Sequence, residues 1–201
     1  MIVIVDCGVG NLRSVQKGFE RVGHAAAITD RPEDVASADR VVLPGVGAFG
    51  DAMVNLKAAG LVEPLMDSIA SGRPYLGICV GLQLLFTESN EMGLHRGFGA
   101  LPGSVRRFPD GVRVPQIGWN QIQIQRRTPL LAGIPDQSFF YFVHSYYADP
   151  EVESDCVATT DYALDYASIA GRGAAYGIQF HPEKSQDLGL RILKNFAERV
   201  C

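Results

Sequence analysis

The sequence predicts an α/β protein: a mainly parallel twisted sheet flanked by helices, with extra antiparallel strands in its second half. Three observations carry this. Short apolar runs alternate with helical patterns through roughly the first 90 residues. After about residue 100 the runs shorten and follow one another with turns instead of helices between them. The 201 residues, 47% hydrophobic and 20% charged, suffice for one substantial core, so one domain spanning residues 1–201 is expected.

Residues 1–5 are an apolar run of the kind that forms a strand buried on both faces. Leu12, Val15, Phe19 and Val22 then fall at helical spacing up to Gly23, a helix stop. Residues 25–29 and 40–43 give two more strands, and residues 48–59 and 61–71 two more helices. Residues 74–78 form the next strand, followed by a helix over 80–87. Short strands are expected at 103–108, 119–124, 139–143, 155–160, 166–170 and 174–180. A closing helix over 185–200 carries Leu188, Ile192, Phe196 and Val200 as one apolar stripe. In such a sheet, function gathers at the carboxyl ends of the parallel strands.

Composition excludes several classes. A net charge of −4 leaves no cationic excess for nucleic acid, and no apolar segment is long enough to cross a bilayer. The N-terminus is apolar without a basic leader, so a cytosolic protein is expected. Cys7, Cys79, Cys156 and Cys201 are scattered without a CxxC pair, which suggests neither a zinc site nor a disulfide framework.

Gly77-Ile78-Cys79-Val80-Gly81 stands where a buried strand becomes a helix. Small residues two before and two after Cys79 permit the sharp turn of a nucleophile elbow, and the helix start offers the Val80 amide to an oxyanion. A thiolate needs a base, and the chain offers His24, His95, His144 and His181. His181 stands out because Glu183, two residues on in an extended segment, can reach its ring and fix its tautomer. The ordinary alternatives are an inert buried cysteine and a solvated surface turn.

These residues, with the loop Pro44-Gly45-Val46-Gly47, resemble the class I glutamine amidotransferases, over essentially the whole chain. The resemblance implies a flavodoxin-like fold, a Cys79-His181-Glu183 triad, an oxyanion site at Val46, Gly47 and Val80, and no cofactor or metal. It also implies that Gln83, Ser145 and Tyr146 hold the amino-acid end of glutamine. Finer motifs at 6–15, 44–53, 81–86, 118–120 and 141–147 are similar to the branch that supplies ammonia to imidazole glycerol phosphate synthases of histidine biosynthesis. That branch implies a (β/α)8-barrel cyclase partner, contacted through Asn11, Arg13, Trp119, Asn120, Tyr141 and Lys184. Cys7, Val80 and Gln116 depart from its usual pattern, which leaves open a partner from another synthase, such as one aminating surface-sugar precursors.

Two rival classes remain. Gly45-Val46-Gly47-Ala48-Phe49-Gly50 matches the GxGxxG of dinucleotide-binding modules, although that fingerprint normally follows the first strand. A Cys-dependent peptidase or amidase would share the elbow and differ in substrate.

Overall fold

Ile2–Val5 (β1) is apolar and buried at every position, as a strand covered on both faces must be. In the computed structural model, which describes residues 1–8 and 10–201, it opens the series of alternating elements. There follow α1 (Leu12–Arg21), β2 (Ala26–Thr29), α2 (Pro32–Ser37), β3 (Arg40–Gly45), α3 (Phe49–Ala58), α4 (Val62–Ala70), β4 (Tyr75–Cys79) and α5 (Val80–Gln83). The second half contributes β5 (Phe86–Ser89), β6 (His95–Arg96), β7 (Leu101–Arg107), β8 (Gln116–Gln121), β9 (Gln123–Ile124), β10 (Phe139–His144) and β11 (Tyr146–Pro150). Then come β12 (Cys156–Asp161), β13 (Asp165–Arg172) and β14 (Ala175–Ile178), and α6 (Gln186–Arg199) closes the chain.

The main sheet runs β2-β1-β3-β4-β14-β13-β11-β7-β5-β6, with β12 and β9 continuing from β13 off this path. Strands β2, β1, β3, β4 and β14 are mutually parallel, so Gly45, Cys79 and Ile178 end at one edge. Beyond β14 the pairings with β13, β11 and β7 are antiparallel. Strands β8 and β10 form a separate antiparallel ribbon.

The chain steps from β1 outward to β2 and back across β1 to β3, and right-handed crossovers then place α1 and α2 on opposite faces. Their packing agrees: α1 meets α6, where Phe19 and Phe196 lie 6.3 Å apart between ring centroids, while α2 meets α4.

Several expectations from the sequence need correction. Residues 32–37 form a helix that no apolar stripe announced, because only Val35 of the turn is buried. Its start is set by Pro32 in the first turn, with Glu33 and Asp34 beside the helix N-terminus. The helix expected over 80–87 stops at Gln83, and Phe86–Ser89 instead joins the sheet beside β7. Leu84, Leu85 and Phe86 are buried, and such a short apolar run reads alike as helix or strand. The strand expected over 119–124 is two: β8 pairs with β10, while β9 pairs with β12. Tyr146–Pro150 was not anticipated as a strand, since its closing proline argues against one.

Candidate active site

Cys79 closes β4 with φ 56° and ψ −106°, a left-handed backbone that costs a non-glycine residue about 1–3 kcal/mol. Its neighbours impose that path. A Cβ on Gly77 would collide with the Gly81 carbonyl, and one on Gly81 with the Leu43 carbonyl of β3. Backbone cannot swing aside, so only glycine fits at either position.

The sulfur faces a cavity of about 390 Å³ at the carboxyl ends of the parallel strands. His181 reaches the same cavity from the segment after β14, and its side chain is 3% exposed. Its Nδ1 is 2.8 Å from Oε1 of Glu183, whose side chain is 1% exposed. Nε2 is buried and meets no partner in full hydrogen-bond geometry, although Cys79 lies near enough to raise the pKa of the ring. Burial pushes the imidazole pKa down, but Cys79 and Glu183 outweigh it and hold the ring at about 9. That charge state suits a thiolate paired with an imidazolium.

His144 lines the cavity too and is in the opposite state. Burial carries its pKa down to about 4 against its hydrogen bond to the Tyr146 carbonyl, and the charge of His181 acts in the same direction. Its Nε2 is 3.0 Å from the Tyr166 hydroxyl, so this ring is a fixed neutral wall of the cavity.

Residues 3–200 match the family described as glutamine amidotransferase class-I. The chain belongs to this family. It is 55% identical over 205 residues to the imidazole glycerol phosphate synthase subunit HisH of Syntrophotalea carbinolica, covering 98% of this chain and 100% of that one. It is 52% identical to the subunit of the same name from Geobacter sulfurreducens, with 98% of each chain covered. A solved glutamine amidotransferase superposes with a TM-score of 0.78 at 19% identity, over 98% of both chains. A chain in the structure of PurLQS from Thermotoga maritima does so with a TM-score of 0.75 at 16% identity, over 100% of this chain and 98% of that one. Those two likenesses establish the fold.

In this glutamine amidotransferase the cavity also gathers Val46, Gly47, Val80, Gln83, Ser145, Tyr146 and Lys184, all singled out from sequence. Gly47 has φ 100°, a conformation that favours glycine in the loop after β3. The other glycines of the GxGxxG run meet protein: a Cβ on Gly45 would lie 3.0 Å from Cβ of Val80, and one on Gly50 would strike the His95 ring. The Tyr146 carbonyl accepts from both Gln83 and His144, which leaves the Gln83 Oε1 without a partner from that carbonyl.

Trp119 and Tyr141 share one face of the β8–β10 ribbon, with ring centroids 6.1 Å apart, and Trp119 is 46% exposed. Asn120 points to the other face, where Nδ2 donates to the Asp161 carbonyl and Oδ1 accepts from the Gln121 amide. Asn11 and Arg13 stand at the start of α1, and Arg13 is exposed. Val9, inside the 6–15 motif, lies outside the described residues.

Two polar residues at the site carried no sequence signal. Glu91 lines the cavity and accepts from the Phe49 amide at 2.7 Å, capping α3. Gln179 is fully buried and donates to the Cys79 sulfur at 3.5 Å. Neither position is marked by periodicity or spacing; only the tertiary fold brings them in.

A second cavity of about 350 Å³ lies at the amino ends of β4 and β14, lined mainly by Met66, Ile69, Phe98 and Leu101. Its lining includes no histidine or cysteine.

The His181 ring is expected to titrate near pH 9 by NMR, and Cys79→Ala should lower that midpoint. In the unfolded chain the ring titrates at about 6.5. The pairing therefore contributes stability fully below that pH, and the contribution is lost as pH rises through about 9. An unchanged midpoint in Cys79→Ala would remove the sulfur as its cause.

Proposed function

We propose that the chain is the glutaminase subunit of a cytoplasmic imidazole glycerol phosphate synthase. It splits glutamine to glutamate and ammonia and passes the ammonia to a (β/α)8-barrel cyclase making imidazole glycerol phosphate and AICAR in histidine biosynthesis. One observation carries the chemistry: a buried Cys79, His181 and Glu183 constellation opens on a cavity sized for an amino acid. The relatives named as subunits of that synthase support the pathway.

The thiolate of Cys79 attacks the side-chain amide carbon of glutamine. The oxyanion that forms is received by the backbone amides of Val80 and the Val46-Gly47 loop. His181 hands its proton to the departing nitrogen, ammonia leaves, and a glutamyl thioester remains on Cys79. The ring, now neutral, takes a proton from water, which cleaves the thioester to glutamate. Glu183 holds Nδ1 throughout, which keeps Nε2 aimed at the reacting atoms. The Gln83 Oε1 and the Glu91 carboxylate supply acceptors for the α-ammonium of the substrate, and Lys184 a cation for its carboxylate.

Ammonia near neutrality is largely protonated in bulk water, so it must reach its acceptor directly. The β8–β10 ribbon offers the docking surface: Ile117, Trp119 and Phe139 are 63%, 46% and 51% exposed. Lys184 joins that surface to the site, lying 5.7 Å from the Tyr141 ring while also lining the cavity. The main chain of Tyr141 also grips the turn that carries the triad. Its carbonyl accepts from the His181 amide at 2.9 Å, and its amide donates to the Ser185 hydroxyl at 3.0 Å. Pressure on the ribbon therefore reaches His181 through two hydrogen bonds.

Glutamine turnover is expected to be slow for the chain alone and to rise when the cyclase and its ligand are added, as the Val46-Gly47 amides reorient. Ammonia release measured with and without the cyclase checks this. Equal rates would overturn the gating, and activation only by a different synthase's acceptor subunit would overturn the pathway.

A further inference from the structure

We infer that Gln179 is a positioning residue that holds an amide N–H on the Cys79 sulfur, and that Gln83 and the Tyr146 carbonyl fix the direction of that contact. The inference rests on Cys79 being the nucleophile. A backbone carbonyl can only accept, so the side chain of Gln83 must present its NH2 group to Tyr146, at 3.1 Å. The same NH2 group donates to Oε1 of Gln179 at 3.2 Å. With its oxygen so engaged, Gln179 has only its own NH2 to offer the sulfur, at 3.5 Å.

Turning the Gln179 amide over would set NH2 against NH2 on one side and oxygen against sulfur on the other. Water does not correct such an error here, because Gln179 is 0% and Gln83 3% exposed. Three amide groups thus form a one-way relay that begins at main chain and ends at the nucleophile.

The need for it follows from the short helix behind Cys79. Only four residues, Val80–Gln83, continue from the elbow as α5, so few aligned peptide dipoles point at the sulfur. A hydrogen bond donated to a thiolate stabilises the charged form and adds to what the imidazolium of His181 supplies. Because the relay passes through Gln83, a residue of the glutamine subsite also sets the state of the sulfur before substrate arrives.

The test reads the sulfur directly. The full chain is treated with iodoacetamide over a pH series without glutamine, and carbamidomethylation of Cys79 is followed in its own peptide, with the Cys156 and Cys201 peptides as internal controls. Gln179→Met should slow Cys79 modification about tenfold near neutrality, the lower end for a hydrogen bond to a charged atom. The pH of half-maximal modification should rise. Gln179→Glu, isosteric and still accepting from Gln83, should slow it further because it turns a carboxylate oxygen toward the sulfur.

Gln83→Leu should move the profile in the same direction with no substrate present, which a purely substrate-binding role does not produce. This variant lies outside the β14 segment and carries the test if changes at residue 179 prevent folding. A wild-type profile in both Gln179 variants, or in Gln83→Leu, would overturn the inference. Failure of the nucleophile assignment shows separately, as ammonia release by Cys79→Ala.

Discussion

Cys79→Ser is expected to abolish ammonia release from glutamine while leaving the fold and partner binding intact. The swap changes one buried atom, so stability should stay within about 1 kcal/mol of the parent. The loss of activity should be far larger. Cys79 is one of the two neighbours that raise the His181 pKa, and a serine hydroxyl at the same place is a far weaker nucleophile and a poorer partner for the ring. Removing one member of a nucleophile and base that act together costs on the order of 10⁴-fold or more. Ammonia release in the presence of the cyclase, beside the thermal midpoint of each protein, measures both quantities. Wild-type turnover by the serine variant would end the triad assignment; an unfolded serine variant would mean that the sulfur also carries packing.

Gly81→Ala is expected to cost about 3 kcal/mol or more, although it adds a single methyl group. The added carbon would occupy the place of the Leu43 carbonyl, which is fixed in the ladder between β3 and β4. Either β3 separates from β4 or the elbow opens, and each outcome displaces Cys79. Denaturant titration of the variant measures the loss. A midpoint equal to that of the parent would show that the elbow relaxes easily and that Gly81 is not fixed by this contact.

What the sequence disclosed, and what it withheld, follows from how local each cause is. Strand β1 was legible because burial on both faces leaves an unbroken apolar run. The elbow was legible because its steric demand falls on Gly77 and Gly81, two residues to either side of Cys79. The pairing of His181 with Glu183 was legible for the same reason: the partners stand two residues apart and meet at 2.8 Å. The short helix α2 was not, since one buried valine makes no period. Nor was the end of α5, where three buried apolar residues obey the demands of helix and strand equally. Gln179 sits 100 residues from the sulfur it touches, and Glu91 caps a helix 42 residues before it. Contacts of that kind leave no trace in spacing. Asn120 has both of its polar atoms engaged within the chain, a pairing that spacing does not announce. The pleat decides this, because residues 119 and 120 must point to opposite faces of the ribbon.

The grip of Tyr141 on the turn bearing His181 is made by peptide groups, not by its phenol ring. On the proposed reading of the ribbon as docking surface, drift among its outward side chains would alter which protein is welcomed there while leaving these peptide contacts in place. On that reading a lineage could exchange acceptors and inherit the coupling unchanged.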